Sequence, residues 1–251
     1  MPDRPVHTFT RDAVRALDQA AIGELGIPSI LLMENAAASI ESHTTPELRT
    51  MGDDAALLVF AGPGNNGGDG LAVARRIHVA QPTRRIAIVL AALRETYTGD
   101  ARTQLDIVER LGLPLIDLVG VRVDPTRPDS LRARLDDALD QQPPDTIVVL
   151  DALLGTGATS PVRDAMKPLV HLINALGISG ARVLAIDVPT GLDCDTGEPL
   201  GDAIDTVRAH CTITLAGRKV GFDNPKSVEF TGEVTAAPIG VPDGLLRRFA
   251  C

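Results

Sequence analysis

The sequence predicts a doubly wound α/β domain with a mainly parallel sheet and two extra helices at its N-terminus. Short apolar runs bounded by Gly, Pro or Asp recur at intervals of roughly 25–40 residues, and helical stretches fill the gaps. The runs are continuously apolar rather than alternating, as strands are when helices cover both faces of a parallel sheet. No internal repeat, low-complexity tract or long charge run interrupts the series, so residues 1–251 read as one domain.

Val14, Leu17, Ala20, Ala21 and Leu25 recur at helical steps, with Thr10 placed to cap and Gly26 to stop the helix. Pro28 opens a second helix running to about Ser42, since Pro suits a first turn. The strand runs are Ala55–Ala61, Arg85–Ala91, Pro114–Leu118, Thr146–Leu150, Arg182–Ile186 and Cys211–Leu215. Between them lie helical stretches at Leu71–Val79, Ala101–Leu111, Leu131–Leu139 and Ala165–Leu176. The Pro-containing pieces Asp124–Pro128 and Gln141–Pro144 are short enough to be loops.

Composition removes several function classes. With no Trp, one Tyr (Tyr97) and five Phe, the chain lacks the rings that stack on bases in single-strand and RNA-binding modules. The 24 basic and 33 acidic side chains give a net charge of −9, which argues against a nucleic-acid or anionic-membrane surface. Any phosphate should therefore be held by backbone and polar groups. Cys194, Cys211 and Cys251 are scattered and show no CxxC spacing, so neither a disulfide framework nor a zinc site is indicated. The N-terminus lacks an apolar leader core and no run of about 18 apolar residues occurs, so the expected location is the cytoplasm.

In doubly wound sheets ligands sit outside the carboxyl ends of the strands at the switch in strand order, and three strand-end loops stand out. Gly62-Pro63-Gly64-Asn65-Asn66-Gly67-Gly68-Asp69-Gly70 follows the first strand run. Its glycines allow close backbone approach to a ligand, and the next helix offers free N–H groups to a phosphate. Gly62, Gly64 and Gly67 satisfy GxGxxG, but the second strand ends Val89-Leu90-Ala91-Ala92 without the ribose-binding acid of a redox dinucleotide site. An ordinary oxidoreductase is thereby disfavoured. Asp151 to Pro161 joins a strand-end acid to a small, hydroxyl-rich turn. Asp187 to Gly197 places Asp187 at the same crevice, while Asp193 and Asp195 suit a structural turn role.

Together with Leu32-Met33-Glu34-Asn35-Ala36 and Ala216-Gly217-Arg218-Lys219-Val220-Gly221, these loops make the chain resemble the NAD(P)HX epimerases, the YjeF N-terminal domain family, across nearly its full length. The resemblance implies a Rossmann-like three-layer αβα sandwich that interconverts the R and S epimers of NADH or NADPH hydrated at C6, a metabolite-repair reaction. It implies that Asn65, Asn66, Gly67, Gly68 and Asp69, with Gly155, Thr156, Gly157, Ala158, Thr159, Ser160 and Pro161, bind the dinucleotide. Asp187 would contact the substrate near the reacting ring and serve as the acid–base group. One potassium ion per subunit would be held by Asn66, Asp151 and Thr190, an amide, a carboxylate and a hydroxyl that form a hard-oxygen set. The family commonly has Ser at position 190 and Gly at position 37, where this chain has Thr190 and Ala37.

A homodimer is typical of the family, and many relatives are fused to an ATP- or ADP-dependent dehydratase. The length of 251 residues leads us to expect the dehydratase on a separate chain. The alternative is a non-catalytic nucleotide- or protein-binding scaffold of the same fold. Lys219 could face the site or solvent, and Asn35, poorly suited to a helix, hints at a polar contact behind the binding loop. The five histidines show no metal spacing, and Tyr97 and the few Phe are the only candidates to lie against a ring.

Overall fold

A computed structural model describes residues 6–117, 134–135, 138–139 and 143–251. Seven strands form one wholly parallel sheet, β2 (Ala56–Ala61), β3 (Ile86–Leu90), β4 (Leu115–Asp117), β5 (Ile147–Ala152), β6 (Arg182–Ile186), β7 (Cys211–Leu215) and β9 (Glu233–Ala237), in spatial order β4-β3-β2-β5-β6-β7-β9. The chain builds outward from β2 to β4, then returns to lay β5 on the other side of β2. The switch in strand order therefore lies between β2 and β5, where Phe60 is opposite Asp151 and Ala61 opposite Ala152.

Alternate residues of each strand feed two separate cores. Leu57, Val59 and Ala61 face helices α2 (Ser29–Thr50), α3 (Asn65–Ala80) and α4 (Gly99–Arg110), whereas Ala56, Leu58 and Phe60 face α5 (Lys167–Ile178) and the buried Leu135 and Leu139. This is the three-layer αβα arrangement expected from the unbroken apolar strands. The helix expected over 131–139 lies mostly outside the described residues, as do 118, 124–128 and 141–142 of the expected strand end and loops.

The first helix, α1 (Arg11–Gly23), begins as expected, with the Thr10 hydroxyl accepting from the Ala13 N–H at 3.2 Å. A two-residue strand β1 (Thr8–Phe9) precedes it and pairs in parallel with β8 (Arg218–Lys219), so the N-terminus is tied to the segment after β7. That miniature sheet and β9 were not legible as apolar runs. Short helices α6 (Val228–Thr231) and α7 (Asp243–Phe249) complete the chain. Among the described residues, no helix is long and apolar enough to cross a membrane.

The glycine loop differs from expectation in one respect. Helix α3 starts at Asn65 rather than near Leu71, so Asn65 to Asp69 form its first turns. Most of the glycines are required by the protein itself. A Cβ on Gly67 would fall onto the carbonyl of Gly62, one on Gly68 would lie 2.6 Å from Met33 Cε, and one on Gly70 would lie 2.6 Å from Ala152 Cβ. Only Gly64 is open on that criterion. The run thus lets α3 press against the β2–β5 strand ends and against α2. Gly67→Ala should lower stability by roughly 1–3 kcal/mol or prevent folding, as overpacking does. Gly157→Ala, where a Cβ meets nothing within 4 Å, should change it by less than about 0.5 kcal/mol. Urea unfolding of the two variants checks the contrast.

Candidate functional site

The three distinctive loops converge at the switch point. Asp187 follows β6 with φ of +67°, a left-handed conformation that Asp tolerates better than most residues. Its carboxylate is buried. Oδ1 lies 2.8 Å from the ammonium of Lys219 and accepts from the Leu215 N–H at 3.3 Å, and Oδ2 accepts from the Thr156 N–H at 3.2 Å. Burial opposes ionisation, but the charge and hydrogen bond of Lys219, with the two backbone donors, outweigh it and hold the Asp187 pKa below the ordinary carboxylate value.

Lys219 is fully buried rather than solvated. Its ammonium donates to Thr214 Oγ1 at 2.8 Å and to the carbonyls of Leu215 at 2.9 Å and Gly217 at 3.0 Å, besides facing Asp187. The resting site therefore contains an ionised Asp187, the form that can accept a proton.

Beside Asp187 lies a second polar centre. A Cβ on Gly155 would lie 3.2 Å from both Asn66 Oδ1 and Asp187 Oδ2, so these two side chains flank one glycine. Among the described residues, neither buried amide atom of Asn66 has a hydrogen-bond partner. Asp151 is fully buried with no cationic neighbour among the described residues; Thr190 donates to it through its hydroxyl at 2.7 Å and its N–H at 2.8 Å, and the Leu153 N–H donates at 3.2 Å. Burial nonetheless pushes the Asp151 pKa up to about 6. An orphaned amide oxygen, a carboxylate lacking a counter-charge and a hydroxyl fit a hard monovalent cation.

Asn65 is exposed at the start of α3, and the first helical N–H with a carbonyl partner is that of Gly68, bonded to Gly64 at 3.0 Å. The N–H groups before it are left open at the helix N-terminus, the kind of end that suits an anion. Asp69, in contrast, is buried inside the helix and caps nothing; burial first, then the charges of Asp187 and Asp18, raise its pKa well above the ordinary value. The Gly155–Pro161 segment divides. Gly155 and Thr156 meet Asp187, Ala158 closes a turn by donating to the Gly155 carbonyl at 3.1 Å, and Gly157, Thr159 and Ser160 are exposed. Pro161 sits at the far end, against Gly201.

Two residues of α1 were missed. Arg11 joins two of the loops: its guanidinium donates to the Thr156 carbonyl at 2.8 Å and to Asp193 at 2.8 Å, lies 3.3 Å from Asp195, and its N–H donates to Asp195 at 2.7 Å. Asp193 also accepts from the N–H groups of Asp195 and Thr196, the structural turn expected for it. Asp18 is the other, and its pKa is pushed up to about 6 by burial and by Asp187, partly offset by Lys219. Its signal in the sequence was a carboxylate on the apolar stripe, four residues after Val14 and three before Ala21.

Two expectations are corrected. Asn35 is exposed and abuts Gly240, not the binding loop. Tyr97 is buried in the core with its hydroxyl on the Ala61 carbonyl at 2.7 Å, and Phe9, Phe60, Phe222 and Phe230 are buried as well, so these rings are structural. The described cysteines are free thiols, and burial pushes Cys194 up to about 12.

Comparison with known proteins identifies the family. Residues 29–221 match the family model described as YjeF-related protein N-terminus. An NAD(P)H-hydrate epimerase of Rhodopirellula baltica is 38% identical over 245 residues, covering 96% of this chain and 88% of that protein. One from Oenococcus oeni is 34% identical, covering 89% and 92%. A bifunctional NAD(P)H-hydrate repair enzyme of Salinibacter ruber is 36% identical, with 96% of this chain spanning 42% of its length. The crystal structure of yeast ynu0 has the same fold, with a TM-score of 0.74 at 20% identity over 96% of this chain and 93% of that one.

The Asp187–Lys219 pair makes a measurable demand on stability. Because the folded pKa of Asp187 is depressed, its contribution is present above the unfolded value of about 4 and is lost as pH falls through the folded one. Lys219→Met leaves a buried carboxylate unpaired and should destabilise by about 3–5 kcal/mol at pH 7. The loss should narrow below pH 4 and be partly recovered in the Lys219→Met/Asp187→Asn double variant. Urea titrations at the two pH values measure it.

Proposed function

Because the chain belongs to the YjeF-related N-terminal family, we propose that it is an NAD(P)H-hydrate epimerase acting on NADH or NADPH hydrated at C6 of the nicotinamide ring. The observation that carries this is the buried, ionised Asp187 across Gly155 from Asn66, a residue in the first turn of α3 whose amide has no partner among the described residues. A dinucleotide's pyrophosphate suits that helix end, met by the N–H groups at Asn65, Asn66 and Gly67. The Gly155–Pro161 turn supplies further backbone and hydroxyl contacts. The substrate is gripped by amides and small polar groups, since the core holds the tyrosine and four of the five phenylalanines.

The chemistry asks for two things, a proton delivered to a leaving heteroatom at C6 and stabilisation of the positive charge that follows. If the C6 hydroxyl leaves as water, the ring nitrogen's lone pair forms a C=N⁺ bond, and water adding from the opposite face inverts the centre. If the C6–N bond opens instead, rotation and reclosure invert it. In either route the Asp187 carboxylate stabilises the cationic stage and accepts the proton that is released. Lys219 keeps it ionised between turnovers. The three N–H bonds of its ammonium are shared among Thr214, Leu215, Gly217 and Asp187.

Asn66, Asp151 and Thr190 would hold a potassium ion. The ion would supply positive charge beside the pyrophosphate and Asp151. Thr190 retains the hydroxyl that Ser provides elsewhere in the family, and Ala37, fully buried in α2, accommodates its methyl group within the core. The bifunctional relatives join such a unit to a second repair activity, which suits an epimerase feeding a dehydratase that accepts one epimer.

Following the two NADHX epimers by chromatography tests the assignment. The wild-type chain should accelerate their interconversion well above the spontaneous rate, and no acceleration would sink the epimerase function. Asp187→Asn should lower the rate at least about 10²-fold while dinucleotide affinity changes only a few-fold. Replacing potassium with lithium should slow the wild type, and Asp151→Asn should remove that dependence on the ion.

A further inference from the structure

We propose that Arg11, on the helix that precedes the matched family segment, is a positioning residue for the dinucleotide: it locks the Gly155–Ala158 turn so that the turn offers the substrate an N–H group and not a carbonyl. The proposal rests on the epimerase function above and on the two forms open to that turn. Ala158 donates to the Gly155 carbonyl at 3.1 Å, which makes Thr156 and Gly157 the central residues of a β-turn. Gly157 lacks the positive φ that a type II turn needs there, and Thr156 lacks the positive φ of the mirror-image turns. The peptide joining them therefore has the type I orientation.

Glycine at position 157 would by itself leave the choice open. In type II the central peptide is turned over by roughly 180° while the flanking residues barely move, and Gly accepts the positive φ at no steric cost. The two forms put opposite ends of one peptide dipole on a given face. In the form present, the Thr156 carbonyl accepts from Arg11 Nε at 2.8 Å. The N–H of Gly157, at the other end of the same planar peptide, consequently points away from Arg11. It has no hydrogen-bond partner among the described residues. Arg11 is itself held independently of Thr156. Its guanidinium donates to Asp193 at 2.8 Å and lies 3.3 Å from Asp195, and its backbone N–H donates to Asp195 at 2.7 Å. A planar guanidinium fixed by two carboxylates leaves Nε with one direction. A carbonyl satisfies it, whereas an inverted peptide would set donor against donor.

The turn stands beside the groups on which the proposed function rests. A Cβ on Gly155, its first residue, would lie 3.2 Å from side-chain atoms of both Asn66 and Asp187, and the Thr156 N–H donates to Asp187 at 3.2 Å. Asn66 belongs to the first turn of α3, the helix end assigned above to the pyrophosphate, and its amide has no partner among the described residues. Gly157 is exposed, so its N–H is open to a ligand. A phosphate gains from a backbone N–H, since hydrogen bonds to charged acceptors are among the stronger ones, and is repelled by a carbonyl oxygen in the same place. Inverting the central peptide would exchange the first for the second. Arg11 acts through Thr156 and Gly157 without touching the substrate itself.

The test measures NADP⁺ binding by calorimetry and NADHX epimerisation in wild type, Arg11→Met, Gly157→Ala and the Arg11→Met/Gly157→Ala double variant, with thermal unfolding to establish folding. Alanine at position 157 meets nothing within 4 Å and disfavours positive φ, so it holds the type I form by a second route. Arg11→Met should weaken NADP⁺ binding and raise KM for NADHX by about 5- to 20-fold, as the competent fraction of the turn falls, with kcat within about threefold. Adding Gly157→Ala should bring affinity back to within about threefold of Gly157→Ala alone, a recovery that a merely structural loss of α1 docking would not show. A folded Arg11→Met variant of wild-type affinity, a double variant as weak as Arg11→Met, or a fall in kcat at unchanged KM overturns the role. A wild type that binds NADP⁺ without accelerating epimerisation overturns the epimerase function alone, and one that does neither overturns both. Should Arg11→Met fail to fold, Arg11→Lys replaces it, keeping the charge without the planar fork. A loss of affinity that Gly157→Ala recovers then supports the role, and no loss or an unrecovered one overturns it.

Discussion

The ion pair between Asp187 and Lys219 is the constraint around which this end of the molecule is organised. Removing a carboxylate and an ammonium from water costs several kcal/mol per ion, recovered only when the geometry is good and every remaining donor and acceptor is used. The chain meets that condition by bending its backbone. Among the described residues, Asp187 and Ala216 are the two non-glycines with positive φ, and they stand at the ends of adjacent strands β6 and β7. The turn through Ala216 and Gly217 delivers carbonyls to the Lys219 ammonium. Gly217 cannot carry a Cβ there, because it would collide with the His7 backbone and the Phe9 ring. The parallel pairing of Phe9 with Lys219 then fixes the lysine's register. The N-terminal strand is thus an accessory to a buried charge rather than an extension of the main sheet.

The same economy of contact explains why α1 belongs to the site. A helix docked only by Leu17, Ala20 and Ala21 could shift along its own axis with little change in apolar burial. Arg11 removes that freedom, since a planar guanidinium that meets Thr156, Asp193 and Asp195 together fits one position. Its partners come from the turns after β5 and β6. Those turns are consequently braced by each other and by the helix, although neither contains regular structure of its own.

The sheet was legible because strands buried on both faces are read as unbroken apolar runs, and the switch point followed from their order. The site loops were legible because strand-end residues in such a fold converge. What escaped was decided by tertiary contact. The strand Glu233–Ala237 is half polar, and β1 and β8 are two residues each, stable only through one another. Helix α3 begins inside Asn-Asn-Gly-Gly-Asp-Gly, a stretch whose propensities favour a loop, because its glycines permit a packing distance that propensity does not record. Lys219 could not be distinguished from a surface lysine, as two of its acceptors are backbone carbonyls brought by a turn. Asp18 did carry a signal, a carboxylate within an apolar stripe.

Charge bookkeeping gives these parts one logic. Asp187 holds the Lys219 ammonium, Asp18 and Asp69 feel the charge of Asp187, and Asp151 lies on the adjacent strand, in a chain that is already strongly acidic and to which the proposed substrate would add a pyrophosphate. Four ionised carboxylates would repel one another and the ligand. Three different remedies are available to the residues present. Asp187 has Lys219 as a fixed cation, and Asp18 and Asp69 are biased toward the neutral form. Asp151 has donors but no cation of its own, and it shares its surroundings with an amide that has no partner. A hard cation bound there would serve both at once, leaving Asp151 ionised without raising the negative charge met by the phosphates. The remaining positive potential comes from the backbone at the start of α3, which cannot be deprotonated. Under the proposed function, that division would put titratable protons at the reacting ring and fixed charge at the phosphates, so that the protonation state of the reacting end could change without loosening the grip on the dinucleotide.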